Sequence, residues 1–250
     1  MNMDDAIYEG TMYIGSPESQ PVRLIFDTGS EYLIVTSVLC DDSMSGRFKF
    51  KKLDPVTGKL QVKSPKGEVR CKTTAYNMKN SKSQRLLAHS SSKVVYGSAK
   101  IQGFVWEDYT CINPLKSGLT GAALKRELKE KKCSMFQFLA LYKSEGLNSK
   151  TDGILGLSPH KSDKKQNFHY LYSMKHNNII DHAMVSFSVT KSDTSAQPYA
   201  LFGGYNSTQI VGGSQGLKTF MNYPNWLETW ALKGEGLFYN GVTIQDPNND

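Results

Sequence analysis

The residues best suited to chemistry lie in one short stretch, LIFDTGSEYLIVTS at positions 24–37. Asp27 ends an aliphatic run, and Gly29 permits a sharp turn directly after it. Thr28 and Ser30 supply hydroxyl groups that can hydrogen-bond a carboxylate held at the end of a strand. An aspartate held in this way could exchange a proton with a substrate or a water molecule. The alternative is an ordinary Asx-turn, in which Asp27 only caps the loop between two strands.

The elements that must position Asp27 are short strands. The segments YEGTMYIG, PVRLIF and YLIVTS, with a Ser-Pro turn at Ser16 and Pro17, predict a compact β-meander. The whole chain has 250 residues, of which 39% are hydrophobic, with 21 glycines and 13 tyrosines. Apolar runs broken by Gly, Asn, Ser and Pro favour strands and turns, so we expect a mostly β chain in one large domain or two lobes.

The formal charge of +7 would suit an anionic partner. Many of the basic residues are concentrated between Phe48 and Lys93, a stretch whose aromatic residues are Phe48, Phe50 and Tyr76. We interpret this stretch as an exposed, β-rich surface insertion and predict no nucleic-acid partner. The five histidines show no metal-ligand spacing, so neither a metal nor another cofactor is expected.

Four cysteines lie too far apart for a C-x-x-C site, which leaves buried thiols or disulfides with the pairing open. One sequon, Asn206-Ser207-Thr208, fits a secretory route but has little weight by itself.

We expect no membrane span, since no apolar run approaches about 18 residues. The first residues, MNMDDAIYEG, lack the basic-then-apolar pattern of a signal peptide.

Two helices and one further strand pair are predicted in the rest of the chain. The segment TGAALKRELKEKKC places Leu124 and Leu128 one turn apart, as in a short amphipathic helix. A second helix is predicted in NFHYLYSMKHNNIID, with Phe168, Leu171 and Tyr172 on one face. The segments MVSFSVT and YALFGGYN are predicted strands separated by a polar turn.

Five segments in chain order resemble those of the pepsin-like aspartic peptidases, peptidase family A1. They are YEGTMYIGSPESQPVRLIFDTGSEYLIVTSVLC, VVYGSAKIQGFVWED, TDGILGLSP, MVSFSVTKSDTSAQPYALFGGYNST and TWALKGEGLFYNGVTI. In the family these correspond to the first strands with the first catalytic loop, the flap hairpin, the strand beneath the active-site loop, the opening of the second lobe and a Trp-containing strand pair. The resemblance covers nearly the whole chain.

The resemblance implies an all-β, bilobal pepsin-like acid protease fold, with a complete N-terminal lobe at 1–184 and a truncated C-terminal lobe at 185–250. It also implies an aspartic endopeptidase that acts on peptides or proteins as a monomer. Members of the family mostly work in lysosomal or vacuolar lumens or outside cells, which is the compartment we expect.

The implied chemistry uses two carboxylates that cannot both ionise freely, so one stays protonated while the other activates a water molecule. By resemblance, Asp27 is one of the two, Ser30 orients its carboxylate, and Thr28 braces the paired loops around Gly29. The flap would be Tyr96, Gly97 and Ser98, closing over an extended peptide.

The sequence departs from the family pattern at several positions, and two of these departures bear most directly on the site. It contains no second Asp-Thr-Gly or Asp-Ser-Gly: SDTSAQ lacks the glycine, and TDG at 151–153 belongs to the supporting strand. Ile34 stands where the family carries a Trp that anchors the flap tyrosine. The alternative to a peptidase is therefore a catalytically inactive, pepsin-like peptide-binding protein. A homodimer that supplies the second carboxylate is not expected, because the partial second lobe would obstruct the pairing.

Overall fold

The computed structural model describes residues 7–40, 50–53, 60–63, 75–87, 92–96, 99–145, 151–159, 169–189, 197–223, 229–234 and 238–243. The chain forms two compact units, residues 1–205 and 206–250, and each is described by itself below. The expected boundary between lobes at residues 184 and 185 stays a prediction. No helix in the described ranges is long and apolar enough to cross a membrane.

The first unit is built on an eight-stranded sheet, and strands dominate the chain as predicted. Its strands are β1 (Glu9–Ile14), β2 (Gln20–Asp27), β3 (Leu33–Thr36), β6 (Arg85–Leu86), β7 (Ser92–Tyr96), β8 (Ala99–Cys111), β9 (Cys133–Glu145) and β10 (Gly153–Gly156). The order across the sheet is β1-β2-β10-β3-β9-β8-β6, β7 pairs with β8, and β1 also pairs with β8. Two separate hairpins are β4 (Phe50–Leu53) with β5 (Leu60–Lys63), and β11 (Val185–Ser188) with β12 (Tyr199–Phe202).

Burial along the strands follows their place in the sheet. In β2, Val22 and Leu24 are buried while Pro21 and Arg23 are exposed, as expected where only one face of a strand packs on the core. In β3 and β10 every residue is buried. Both strands lie inside the sheet with partners on either side, so their continuous apolar runs reflect burial on both faces.

Strand β10 is threaded between two strands that are neighbours in the sequence. It runs parallel to β2, with Gly156 opposite Asp27, and antiparallel to β3, with Gly153 opposite Val35. Both glycines are required for the close approach. A Cβ atom on Gly153 would lie 1.8 Å from the Ile34 carbonyl oxygen, and one on Gly156 would lie 2.3 Å from the Glu31 carbonyl carbon.

The main core of the first unit includes part of the stretch that the sequence assigned to an exposed insertion. Tyr76 and Met78 are almost completely buried, and the Tyr76 ring meets the Phe138 ring edge-on with the centroids 5.1 Å apart. The backbone of Tyr76 also bonds to Thr36 and Val38, at the end of β3. The prediction of an exposed insertion is therefore wrong for the segment around Tyr76 and Met78. The neighbouring residues are mainly polar, so the sequence pattern did not indicate that these two side chains are buried.

Both predicted helices form, but the second buries a different face. Helix α1 (Gly121–Glu130) buries Leu128 and packs Leu124 against the same cluster. Helix α2 (Tyr170–His176) buries Tyr170 and Met174, whereas Tyr172 is 40% exposed. Of the predicted face, Leu171 packs against the core, the prediction is wrong for Tyr172, and Phe168 lies outside the described residues. The spacing of Tyr170 and Met174 is also one helical turn, so the sequence alone allowed either face.

A disulfide joins Cys111 and Cys133, which face each other across β8 and β9. This settles one of the pairings that the sequence left open, and Cys40 is also disulfide-bonded. The Cys111–Cys133 bond closes a loop of 22 residues that contains α1, and it is buried with Leu115 and Leu128. The crosslink therefore fixes α1 to the end of the longest strand pair.

Replacing both Cys111 and Cys133 with Ala should lower the free energy of unfolding by about 3 kcal/mol, since a crosslink of this span removes loop-closure entropy from the unfolded chain. Urea denaturation under non-reducing conditions measures the change. Lys125→Ala, within the same loop and on the exposed face of α1, is the matched control. An unchanged denaturation midpoint in the double variant would show that the disulfide is not stabilising.

Strand β8 of the sheet carries a buried carboxyl group, that of Asp108. Its side chain is fully buried and accepts hydrogen bonds from the Tyr76 hydroxyl at 2.8 Å, the Ser83 hydroxyl and the Tyr109 amide at 2.8 Å. Burial raises the pKa of Asp108 above its ordinary range, an effect that the hydrogen bonds from Ser83, Ser81, Tyr76 and Tyr109 oppose. Burial and the neighbouring Asp108 carboxylate likewise raise the pKa of Tyr76, which stays a neutral donor.

Asp108 should make the fold relatively more stable in acid. A carboxyl whose pKa is raised by folding contributes stability that is complete when it is protonated in both states, and that is lost as the pH rises through the folded-state pKa. Replacing Asp108 with Asn removes this titration. The stability difference between wild type and Asp108→Asn should therefore shift in favour of the variant in the pH window that begins at about 4, the ordinary pKa of an aspartate side chain, and extends upward. Chemical denaturation across that window measures it, and a constant difference would contradict the prediction.

The second unit, residues 206–250, is small and has little regular structure in its described part. It contains two short 3-10 helices, Ser207–Gln209 and Gly213–Gly216, and the hairpin of β13 (Phe238–Tyr239) with β14 (Val242–Thr243). The hairpin coincides with the predicted strand pair, although residues 229–234, which include Trp230, form no strand. None of its described residues with assigned burial is buried. Large apolar side chains remain exposed, among them Phe220, Met221, Trp230, Leu232, Phe238 and Tyr239.

Candidate active site

The loop that carries Asp27 is held by backbone hydrogen bonds from the segment after β10. The Leu157 amide donates to the Asp27 carbonyl at 2.7 Å, and the Ser158 amide donates to the Ser30 carbonyl at 2.9 Å. The Gly156 amide donates to the Tyr32 carbonyl at 3.0 Å. Three successive residues at the end of β10, numbers 156–158, therefore hold the backbone of the loop at its beginning and at its end.

The Asp27 side chain turns back on its own loop. Its Oδ1 atom accepts a hydrogen bond from the Gly29 amide at 2.9 Å, which is the Asx-turn that the sequence offered as the simpler interpretation. The side chain is only half-buried, and Thr28 and Gly29 are exposed. The turn thus presents the carboxylate at the surface of the first unit, on a backbone that β10 holds in place.

Ser30 is placed differently from the expectation. It is buried, but its Oγ atom has no hydrogen-bond partner in the part of the chain that the structure describes, so the expected bond to the Asp27 carboxylate is not formed. The Ser158 hydroxyl, on the segment that clamps the loop, is also buried without a partner among the described residues. The Gly29 amide, rather than Ser30, orients Asp27 here.

The predicted flap corresponds to a hairpin of β7 and β8. Ser92 pairs with Gly103 at one end of it, and the backbone of Tyr96 pairs with that of Ala99 at the other. Gly97 and Ser98 lie outside the described residues, so their predicted contribution to the flap stays a prediction. The hairpin contacts β3, the strand that follows the Asp27 loop, through apolar side chains, because Ile34 of β3 clusters with Ile101 and Val94.

Asp152, in the Thr-Asp-Gly sequence at 151–153, has a structural role. Its Oδ2 atom accepts a hydrogen bond from the Arg23 amide at 2.9 Å, and its own amide donates to the Arg23 carbonyl at 2.6 Å. Its carbonyl accepts from the Thr36 amide at 2.7 Å. Asp152 therefore fastens the start of β10 to β2 and β3.

The sequence did not single out Gly153 and Gly156, on which the position of the loop depends. Their spacing in TDGILGLSP was the available signal, since a glycine within a strand often marks the close approach of another backbone. The described residues contain no group of three or more His, Cys, Asp or Glu side chains that could hold a metal ion.

Comparison with known proteins gives two findings. Residues 7–246 match the model of the family described as eukaryotic aspartyl protease. The chain is also similar to plasmepsin IX of Plasmodium falciparum, in isolates NF54 and 3D7, with 23% identity over 245 residues that cover 94% of this chain and 31% of the relative. The chain thus spans about a third of the length of the curated relatives it matches.

Proposed function

Since the chain belongs to the eukaryotic aspartyl protease family, we propose that it supplies one half of the catalytic dyad of an aspartic endopeptidase, with Asp27 as the catalytic carboxylate. The observation that carries the proposal is the clamped loop: Asp27 ends β2, one face of which packs on the core, and three backbone hydrogen bonds from 156–158 fix the turn around it. A carboxylate that must meet a second carboxylate and a water molecule needs a backbone held to this degree.

The proposed reaction is hydrolysis of a peptide bond. Of two carboxyl groups that share a site, one ionises and takes a proton from the water molecule between them, and the water oxygen attacks the scissile carbonyl carbon. The protonated carboxyl donates to the carbonyl oxygen, and the C–N bond then breaks as the leaving nitrogen takes up a proton. Pepsin couples its two carboxyl groups through the same like-charge repulsion, and the transfer of that coupling to this chain rests on family membership.

The residues around Asp27 have assigned roles in this proposal. The Gly29 amide holds Oδ1, and Thr28 contacts the matching loop of the second half-site. Ser30 turns its hydroxyl toward Asp27 once that half-site is present, because such hydrogen bonds are often completed only in the assembled complex. Tyr96, Gly97 and Ser98 close over an extended peptide, which they hold through backbone hydrogen bonds.

The second carboxylate is proposed to come from sequence outside these 250 residues in the same gene product, acting as a monomer. The second unit supports this proposal, because a group of large apolar side chains exposed to water usually marks a surface that contacts other protein. The exposed side chains include Phe220, Met221, Trp230 and Leu232. The site of action is proposed to be a lysosomal or vacuolar lumen or the extracellular space, where other family members work.

A second candidate function is peptide binding without catalysis. It is favoured by one observation, the single Asp-Thr-Gly within the 250 residues. In that case the β7–β8 hairpin and the loop around Asp27 would serve as a binding groove only.

A statine-type peptide mimic tests the proposal on the full-length gene product, assayed with a mixed peptide library at acidic pH. The peptidase should release new peptide termini, and the mimic should abolish this release, because its tetrahedral, hydroxyl-bearing carbon takes the place of the attacked carbonyl carbon and resembles the tetrahedral intermediate. A peptide binder would take up the mimic and release nothing, which would contradict the peptidase. The 250-residue chain alone is the control and should be inactive.

A further inference from the structure

We propose that Asn206 is a modification site, the acceptor of an N-linked oligosaccharide from a polyprenyl-diphosphate carrier. The residue opens the one Asn-x-Ser/Thr triplet of the chain, and its middle residue is Ser207 rather than proline. The proposed endopeptidase has no use for this triplet.

The local geometry suits an acceptor. Asn206 precedes the 3-10 helix Ser207–Gln209 as its N-cap, with extended backbone angles. Its Oδ1 atom accepts hydrogen bonds from the Thr208 amide at 3.1 Å and from the Thr208 hydroxyl at 2.8 Å. Both bonds end on Oδ1, so neither of them engages the Nδ2 amide nitrogen.

The turn also explains why the third residue of the triplet must carry a hydroxyl. In the transfer, Nδ2 attacks the anomeric carbon of the oligosaccharide and loses a proton to a basic group of the transferring enzyme, while the bond from that carbon to the diphosphate oxygen breaks and the polyprenyl diphosphate leaves. Negative charge develops on the carboxamide as the proton leaves. A hydroxyl that donates to Oδ1 stabilises this charge, and Thr208 is already in place to do so.

The site is accessible. Asn206 and Thr208 are exposed, and the adjoining Tyr205 and Val211 are 41% and 96% exposed. A glycan at this position therefore has room on the surface. The two hydrogen bonds join residues only two apart, so the turn can form before the rest of the chain has folded.

An independent observation supports passage of the chain through a compartment where such transfer occurs. The Cys111–Cys133 pair and Cys40 are disulfide-bonded, and disulfides persist in the secretory pathway but are rare in the cytosol. The same route delivers both disulfides and N-linked glycans. The modification does not depend on the proposed peptidase activity.

The test is secretory expression of the 250-residue chain behind a signal peptide in a eukaryotic cell. Wild type should migrate more slowly than after treatment with peptide N-glycosidase, which converts a glycosylated Asn206 to Asp, and peptide mass spectrometry should find that conversion. Asn206→Gln and Thr208→Ala should lose the shift completely. Ser207→Ala, which keeps the triplet, should retain it and is the matched control.

Folding defects do not obscure the result, because occupancy is scored on the peptide, including chain retained inside the cell. Protection of Cys111 and Cys133 from thiol alkylation reports entry into the oxidising compartment. An unmodified Asn206 in chain whose cysteines are protected would overturn the proposal. A shift that persists in Asn206→Gln would also overturn it.

Discussion

Replacing Asp27 with Asn should reduce peptide hydrolysis by the full-length gene product by about a thousandfold or more, the scale seen when a group that acts directly on the reacting atoms is removed. An amide at this position cannot take a proton from water. The amide oxygen can still accept the hydrogen bond from the Gly29 amide, so the turn itself should persist. The loss should therefore fall on kcat and leave the fold intact.

Initial rates on a fluorogenic peptide, with denaturation curves for each variant, separate these effects. Asp27→Asn should unfold within about 0.5 kcal/mol of wild type, as a surface substitution without lost packing does. Asp181→Asn, which removes an exposed carboxylate outside the loop, is the matched control and should keep full activity. Activity retained by Asp27→Asn would assign the catalysis to other residues and refute the proposed role.

The largest stability effect should follow from Gly153→Ala. The new Cβ atom would lie 1.8 Å from the carbonyl oxygen of Ile34 and 2.8 Å from its carbonyl carbon, both of them backbone atoms of β3. Backbone in the middle of a sheet cannot yield as a flexible side chain does, so β10 must separate from β3. We expect a loss of about 3 kcal/mol or more in the free energy of unfolding.

Gly156→Ala should act on both the fold and the site. Its Cβ atom would lie 2.3 Å from the Glu31 carbonyl carbon and 2.6 Å from the Ser30 carbonyl oxygen, within the loop that follows Asp27. The substitution should thus displace the loop and lower activity in the fraction that remains folded. Gly153→Ala, which presses on β3 instead, should act mainly through stability.

Gly204→Ala is the matched control for both variants, because no heavy atom lies within 4 Å of the Cβ position and its backbone is not left-handed. It should change the free energy of unfolding by less than about 1 kcal/mol. Urea denaturation followed by circular dichroism measures all three. Equal midpoints for Gly153→Ala and Gly204→Ala would show that β10 is not inserted between β2 and β3.

Much of the fold could be predicted from the sequence because the signals are local. Alternating and continuous apolar runs located β1, β2 and β3 to within one or two residues, and the Asp-Thr-Gly turn identified the candidate site. Leu124 and Leu128 gave the correct face of α1, because they are the only large apolar residues in that helix. For α2, several apolar residues share the helix, and only packing against Phe136 selects Tyr170 as the buried one.

The sequence by itself determined the strands, the turn that presents Asp27, the sequon and the family. The tertiary structure decided the insertion of β10 between β2 and β3, the pairing of Cys111 with Cys133, and the burial of Tyr76 against Asp108. The physical reason is the sequence separation between the residues in contact. Turns and strands depend on neighbouring residues, whereas Gly156 reaches Asp27 across more than a hundred residues, and only the assembled sheet specifies that contact.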